Sequence, residues 1–224
     1  MKKIQLLGFE SRDLTVRESL HLTREYLGNG VLNVVYYLSD ESLIAAKDFN
    51  EIGQCMQESD ITIPVSLSIL HMAGITSKSR ETETTRNLYL KGLLRLLSRG
   101  HKKTYLITDS AARLEELTSV LKMLQPDLEV AGSVVLNESI RGEDAVNEIN
   151  GIIPDAVILL LASPERERFV LEQKSKINAR LLLSASDEIV HVREDGTLKP
   201  GGMRDWIRNR IFRRLAGNVG GGAQ

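Results

Sequence analysis

The stretch Ala156-Val157-Ile158-Leu159-Leu160-Leu161-Ala162 constrains the fold more than any other part of the sequence. It holds no polar residue and shows no alternation, so neither of its faces is set aside for solvent. It is far too short to cross a bilayer. Such a run fits a central strand of a parallel sheet, covered on both faces by helices.

The surrounding pattern agrees. Residues 4–9, 31–38, 61–63, 104–108, 128–136 and 180–185 read as further strands. Helical spacing covers residues 14–27, a long stretch from Ser39 through Met56, and residues 67–74, 86–99, 110–124 and 143–150. A further helix opens at Ser163-Pro164, with Ser163 as N-cap and Pro164 at the first helical position. Residues 76–85 contain no aliphatic side chain and many Ser, Thr and Glu, so a surface loop is expected there. Residues 189–198 turn at Glu194-Asp195-Gly196 and read as a hairpin. Alternating strands and helices place the chain in the α/β class, with a mostly parallel sheet and flanking helices. The expected organisation is one α/β domain over residues 1–200, a basic C-terminal helix over 201–216, and a Gly-rich disordered tail over 217–224.

Composition excludes several functions. Lys+Arg is 29 and Asp+Glu is 30, so no whole-surface basic field exists to attract nucleic acid. Aromatic residues are 4%, too few for single-strand stacking platforms. Cys55 is the one cysteine, which excludes a disulfide framework and a Cys-rich zinc site; its apolar helix face gives it a packing role. His21, His71, His101 and His191 are scattered without metal-ligand spacing, so no metal is expected. No glycine-rich phosphate loop and no Asp-x-Asp pair are present, which counts against an NAD enzyme, an NTPase or a metal-bound nucleotide sugar. No cofactor is expected. The apolar stretch after Met1-Lys2-Lys3 breaks into Glu10-Ser11-Arg12-Asp13, too soon for a secretory signal, and a soluble cytoplasmic protein is expected.

Open α/β sheets bind ligands at the carboxyl ends of their strands. Two such ends stand out, Thr108-Asp109-Ser110 and Ser163-Pro164-Glu165-Arg166-Glu167. Each leads into a helix N-terminus, where free N–H groups hold a diphosphate well. Each also carries an acid, which fits plain helix capping instead. Arg113, Arg166 and Arg168 offset those acids if they face the cleft. On the last helix, Arg204, Arg208, Arg210, Arg213 and Arg214 crowd around Trp206, beside a ragged apolar row of Met203, Ile207, Ile211 and Leu215. Such a helix suits an anionic membrane surface or a polyphosphate. It equally suits a helix docked on its own domain with a solvated charged face. The apolar row also leaves room for a homo-oligomer.

Several of these stretches together resemble the WecG/TagA/CpsF glycosyltransferases, bacterial enzymes that add N-acetylmannosamine or related sugars to undecaprenyl-diphosphate-linked sugars. The resemblance is carried by Gln125-Pro126-Asp127-Leu128-Glu129-Val130-Ala131-Gly132, by Ile149-Asn150-Gly151-Ile152-Ile153-Pro154-Asp155-Ala156-Val157, and by Ala162-Ser163-Pro164-Glu165-Arg166-Glu167. Asp205-Trp206-Ile207-Arg208 is similar to a family Glu-Trp followed by arginines. The resemblance implies a Rossmann-like fold, a UDP-sugar donor, a polyprenyl-diphosphate-linked acceptor, and inverting transfer in surface-polysaccharide or teichoic-acid assembly. It places donor or substrate contacts at Thr108, Asp109, Ser163, Pro164, Arg166, Glu167 and Asp187. It places acceptor-diphosphate or membrane contacts at Arg204, Trp206, Arg208, Arg210, Arg213 and Arg214, with the protein peripheral at the inner face of the membrane. Where the family has an Asp-Gly pair, with the aspartate thought to be the base, this chain has Val65-Ser66. The family's Gly-Gly falls on Thr108-Asp109, and its Gln in Pro-x-Gln-Glu falls on Arg166. The catalytic residue is therefore unassigned, and an inactive member that binds a nucleotide sugar or a protein is the alternative.

Overall fold

The structure, a computed structural model, describes residues 3–6 and 9–198. It opens with a small antiparallel hairpin, β1 (Lys3–Leu6) and β2 (Phe9–Arg12). The expected single strand over residues 4–9 is thus two short ones, separate from the main sheet. That sheet contains β3 (Asn33–Leu38), β4 (Ile61–Pro64), β5 (Thr104–Thr108), β6 (Val130–Val135), β7 (Ala156–Leu160) and β8 (Leu181–Ala185). Their spatial order is β4–β3–β8–β7–β5–β6, and every pairing is parallel. This is a Rossmann-like α/β architecture.

The apolar run lies where its composition demands. Every residue of β7 is buried, as is every residue of its neighbours β5 and β8 and of β3. Alternate side chains feed two cores, one on each face of the sheet. On the first face Val157 and Leu159 pack with α2 (Asp40–Ala45), α3 (Asn50–Glu58), α8 (Gly142–Ile152) and α9 (Glu165–Gln173). On the second face Ile158 and Leu160 pack with α1 (Val16–Tyr26), α6 (Leu88–Arg99) and α7 (Ala111–Leu124). Burying each such aliphatic side chain is worth roughly 1.5–3 kcal/mol. Short α4 (Leu67–Met72) adds Ile69 and Leu70 to the first core.

Four further local expectations are corrected. The helix from Ser39 through Met56 breaks in two: Lys47 and Asp48 close short-range bonds onto Ile44 and Ala45, and Phe49 is extended before α3 begins. The segment expected as a loop contains a helix, α5 (Lys78–Thr85). It buries no residue and is held by polar contacts instead. Arg80 pairs with Asp13 at 3.2 Å and Glu83 at 3.4 Å, the Val16 N–H donates to Glu83 at 3.2 Å, and His71 meets Glu81 at 2.8 Å. An apolar periodicity search is blind to such a helix. The helix after β7 starts at Glu165, with a cis Ser163–Pro164 bond and Pro164 in the cap position, so Ser163 caps nothing. The hairpin expected over residues 189–198 is reduced to one antiparallel bridge, Val192 to Leu198. The basic helix over 201–216 and the tail lie outside the described residues.

Gly132 shows why one position on the edge strand β6 tolerates no side chain. An added Cβ would meet Tyr105 Cε2 at 2.7 Å and Ile152 Cδ1 at 2.8 Å. Tyr105 cannot swing away freely, because its hydroxyl donates to Glu148 at 2.6 Å. Gly132→Ala is expected to cost about 1–3 kcal/mol by overpacking. Urea unfolding checks this as a lowered midpoint with unchanged slope.

Candidate active site

The strand order sets the location. From β7 the chain continues toward β8, and from β5 toward β6, so the connections diverge between the adjacent strands β7 and β5. Divergence at the carboxyl edge opens a crevice. The loops at that edge carry most of the residues singled out in the sequence, and the structure gathers them into two clusters.

The first cluster is a buried ion pair. Arg166 and Glu167, at the start of α9, are 1% and 0% exposed. Arg166 Nη2 donates to Glu167 Oε1 at 2.7 Å, to Ser42 Oγ at 2.7 Å and to Tyr36 OH at 3.1 Å. Its Nη1 donates to the Ala185 carbonyl at 2.9 Å. Tyr36 OH donates to Glu167 Oε1 at 2.5 Å, and Ser163 Oγ donates to the same oxygen at 3.0 Å. The Arg166 guanidinium also lies over the Tyr36 ring, 4.9 Å from its centroid. The network therefore knits the ends of β3, β7 and β8 to α2. Glu167 Oε2 is buried without a hydrogen-bond partner among the described residues. Burial pushes the Tyr36 hydroxyl above its ordinary range. Cys55 is buried, and burial together with the Glu167 charge pushes its thiol up to about 12. At that value the thiol stays protonated and is a poor nucleophile.

The second cluster spans the crevice. Arg113 on α7 donates to Asp109 at 2.6 Å and also pairs with Asp187, in the short 3-10 turn Asp187–Ile189 after β8. Thr108 is fully buried and donates to the Ser110 carbonyl at 3.1 Å. Ser110 caps α7 by accepting from the Arg113 N–H at 3.3 Å. Asp109 and Asp187 thus meet through one arginine, with Thr108 tied to the Ser110 cap beside them, whereas Ser163, Arg166 and Glu167 meet in the buried network. Pro164 is buried, and Arg168 turns away to Glu51 at 3.1 Å.

A third feature includes Val65, where the resemblance places the family's aspartate. A narrow cleft opens at the carboxyl ends of β4 and β3, beneath α5, with Tyr37, Val65, Arg80, Asn87, Tyr89 and Glu188 in its walls. About 20 Å³ of it is open to the centre of a water molecule, room for about one water. Four residues of its walls each bury a polar atom with no partner among the described residues: Ser19 Oγ, Tyr37 OH, Arg80 Nε and Asn87 Nδ2. Asn87 adopts a left-handed conformation, φ 49°, at the start of α6. Burial pushes the Glu188 carboxyl above the ordinary glutamate range; Arg166 opposes the rise and Asp40 adds to it. The sequence signal for this cleft was slight. Tyr36 and Tyr37 are adjacent in one strand, so their hydroxyls leave on opposite faces, one to the ion pair and one to the cleft. Arg204, Trp206, Arg208, Arg210, Arg213 and Arg214 lie outside the described residues.

The parallel sheet, its divergent carboxyl edge and the clustered loops form the kind of crevice in which open α/β proteins bind ligands. The chain belongs to the glycosyl transferase WecG/TagA/CpsF family, whose model matches residues 4–188. Membership makes it a glycosyltransferase-family protein of surface-polysaccharide synthesis, a family that in general uses a nucleotide-sugar donor and a lipid-linked acceptor. No curated protein matches the chain. Among the described residues, no helix is long and apolar enough to cross a membrane, and no group of three or more His, Cys, Asp or Glu is placed to hold a metal.

Removing Arg166 strands the Glu167 carboxylate in the interior. Arg166→Ala is expected to lose about 3–5 kcal/mol, and the R166M/E167L double variant much less, as measured by chemical denaturation. Glu188 behaves in the opposite sense. Its folded-state pKa is raised, so the folded chain binds that proton more tightly than the unfolded chain. Ionised Glu188 therefore destabilises the fold increasingly as pH rises through its folded pKa. Glu188→Gln is expected to melt higher than wild type in mildly alkaline buffer, the gap closing as pH falls below the ordinary glutamate range.

Proposed function

We propose that the chain transfers an N-acetylhexosamine, N-acetylmannosamine-like, from a UDP-sugar to a hydroxyl of a polyprenyl-diphosphate-linked sugar. The observation that carries this reading is the crevice between β7 and β5 in a chain of this family, with the α7 N-terminus and the Asp109–Arg113–Asp187 cluster at its mouth. In this reading the donor lies across Asp109, Ser163 and Asp187, above the buried Thr108, and Arg113 exchanges a carboxylate for the diphosphate. A guanidinium suits that exchange because it offers paired donors to either anion. Arg166 and Glu167 act from below, holding Ser163 and the end of β8 in place. The basic C-terminal arginines and Trp206 meet the lipid-linked acceptor at the inner membrane face.

One observation favours a second reading, an inactive member that binds a nucleotide sugar or a protein of the same pathway. Val65, at the position of the family's aspartate, is 6% exposed and packs in the second core. Valine accepts no proton, and general-base help is worth about 10²–10⁴-fold in rate.

Calorimetric titration with UDP and a panel of UDP-N-acetylhexosamines tests both. Saturable binding is expected, weakened about tenfold or more by Arg113→Ala, the worth of one charge-assisted hydrogen bond. Transfer to a short-prenyl diphosphate-linked N-acetylhexosamine then separates the active from the inactive reading. A folded protein that binds none of these at millimolar concentration overturns the transfer reading.

A further inference from the structure

We propose that Glu188 is the general base of this chain, taking the proton from the attacking acceptor hydroxyl inside the cleft beneath α5. The proposal rests on the transfer reading above and deepens it, because that reading leaves the proton without a destination.

Three observations converge on Glu188. The first is position. Glu188 and Asp187 are neighbours in the same short turn after β8. Asp187 pairs with Arg113 at the crevice mouth, whereas Glu188 lines the cleft. One turn therefore joins the proposed donor crevice to the cleft. The second is the cleft's chemistry. Tyr37 OH, Ser19 Oγ, Asn87 Nδ2 and Arg80 Nε are buried there without partners. Unpaired buried groups of this kind are costly to the fold, and a hydroxyl oxygen entering the cleft offers an acceptor to one of these donors. The third is size. With room for about one water, the cleft admits one hydroxyl and leaves the remainder of the acceptor sugar at its mouth.

The environment suits a base. Glu188 is half-buried, so it is shielded yet reachable. The groups around it are Ser186 from its own loop, Arg166 from α9 and Asp40 from α2, with Tyr37 from β3, Arg80 and Glu83 from α5, Asn87 capping α6 and Tyr89 within it on the cleft walls. Arg80 is already held by Asp13 and Glu83, and Arg166 by Glu167, so neither cation is free to neutralise Glu188 as a salt-bridge partner. A carboxylate raised toward neutrality accepts a proton more strongly than an ordinary one.

In the step, the acceptor oxygen forms a bond to the donor's anomeric carbon as its proton passes to a Glu188 carboxylate oxygen. The bond from that carbon to the diphosphate breaks, and its electron pair leaves with UDP. The proton on Glu188 then returns to solvent through the cleft mouth.

The test is the transfer assay with the full chain, UDP-N-acetylmannosamine and a short-prenyl diphosphate-linked N-acetylhexosamine. Glu188→Gln is expected to lower kcat about 10²–10⁴-fold, with UDP affinity by calorimetry unchanged. Wild-type kcat falls as pH drops through the raised Glu188 pKa. Formate restores part of the rate to Glu188→Ala, which a structural role would not allow. Full activity in Glu188→Gln overturns the proposal while leaving the transfer reading intact. A slow variant that formate does not rescue, with the wild-type pH profile retained, also overturns it. No transfer by wild type overturns both.

Discussion

The buried Arg166–Glu167 pair is the constraint on which the carboxyl edge depends. Taking both charges out of water is expensive, and hydrogen bonds from Tyr36 and Ser163 to Glu167, and from Arg166 to Ser42 and the Ala185 carbonyl, recover part of that cost. A pair of this kind adds little net stability but defines geometry tightly. The ends of β3, β7 and β8 and the start of α2 converge on one guanidinium. The turn after β8 begins just past Ala185, so the placement of Asp187 and Glu188 follows from where the pair anchors that strand.

Charge at this edge is nearly all committed. Arg113 is shared by two aspartates, Arg166 is saturated, and Arg80 is divided between Asp13 and Glu83. Asp40 accepts from Ser66 and Ser68, each at 2.7 Å, tying α2 to α4. An anionic ligand entering the crevice meets an arginine it must win from carboxylates, so its affinity is the difference between two good interactions. That differs from a glycine-lined loop, in which backbone N–H groups wait unpaired for a phosphate.

Much of the frame was legible in the sequence because burial writes itself into composition. The run 156–162 announced a strand covered on both faces, and the segment 104–108 announced its neighbour. What was illegible depends on partners far along the chain. Tyr36 and Arg166 are separated by 130 positions, and no spacing rule links them. Helix α5 lacks an apolar face, because ion pairs to Asp13 and a backbone contact to Val16 do the holding. The break between α2 and α3 left the apolar spacing almost undisturbed, so periodicity alone ran through it. Of the candidate site, the loops Thr108–Asp109 and Ser163–Glu167 were readable from strand ends, whereas the cleft needed three dimensions. Its walls come from α1, β3, β4, α5, α6 and the turn after β8.

Tyr36 and Tyr37 carry a consequence for how this protein can change. They stand side by side on β3, and each serves a different polar assembly on a different face. A slip of β3 by a single residue against β8 would send each hydroxyl to the wrong side. The ion pair and the cleft are therefore locked to one strand alignment. An insertion or deletion within β3 would damage both together, and neither assembly is free to drift while the other is kept.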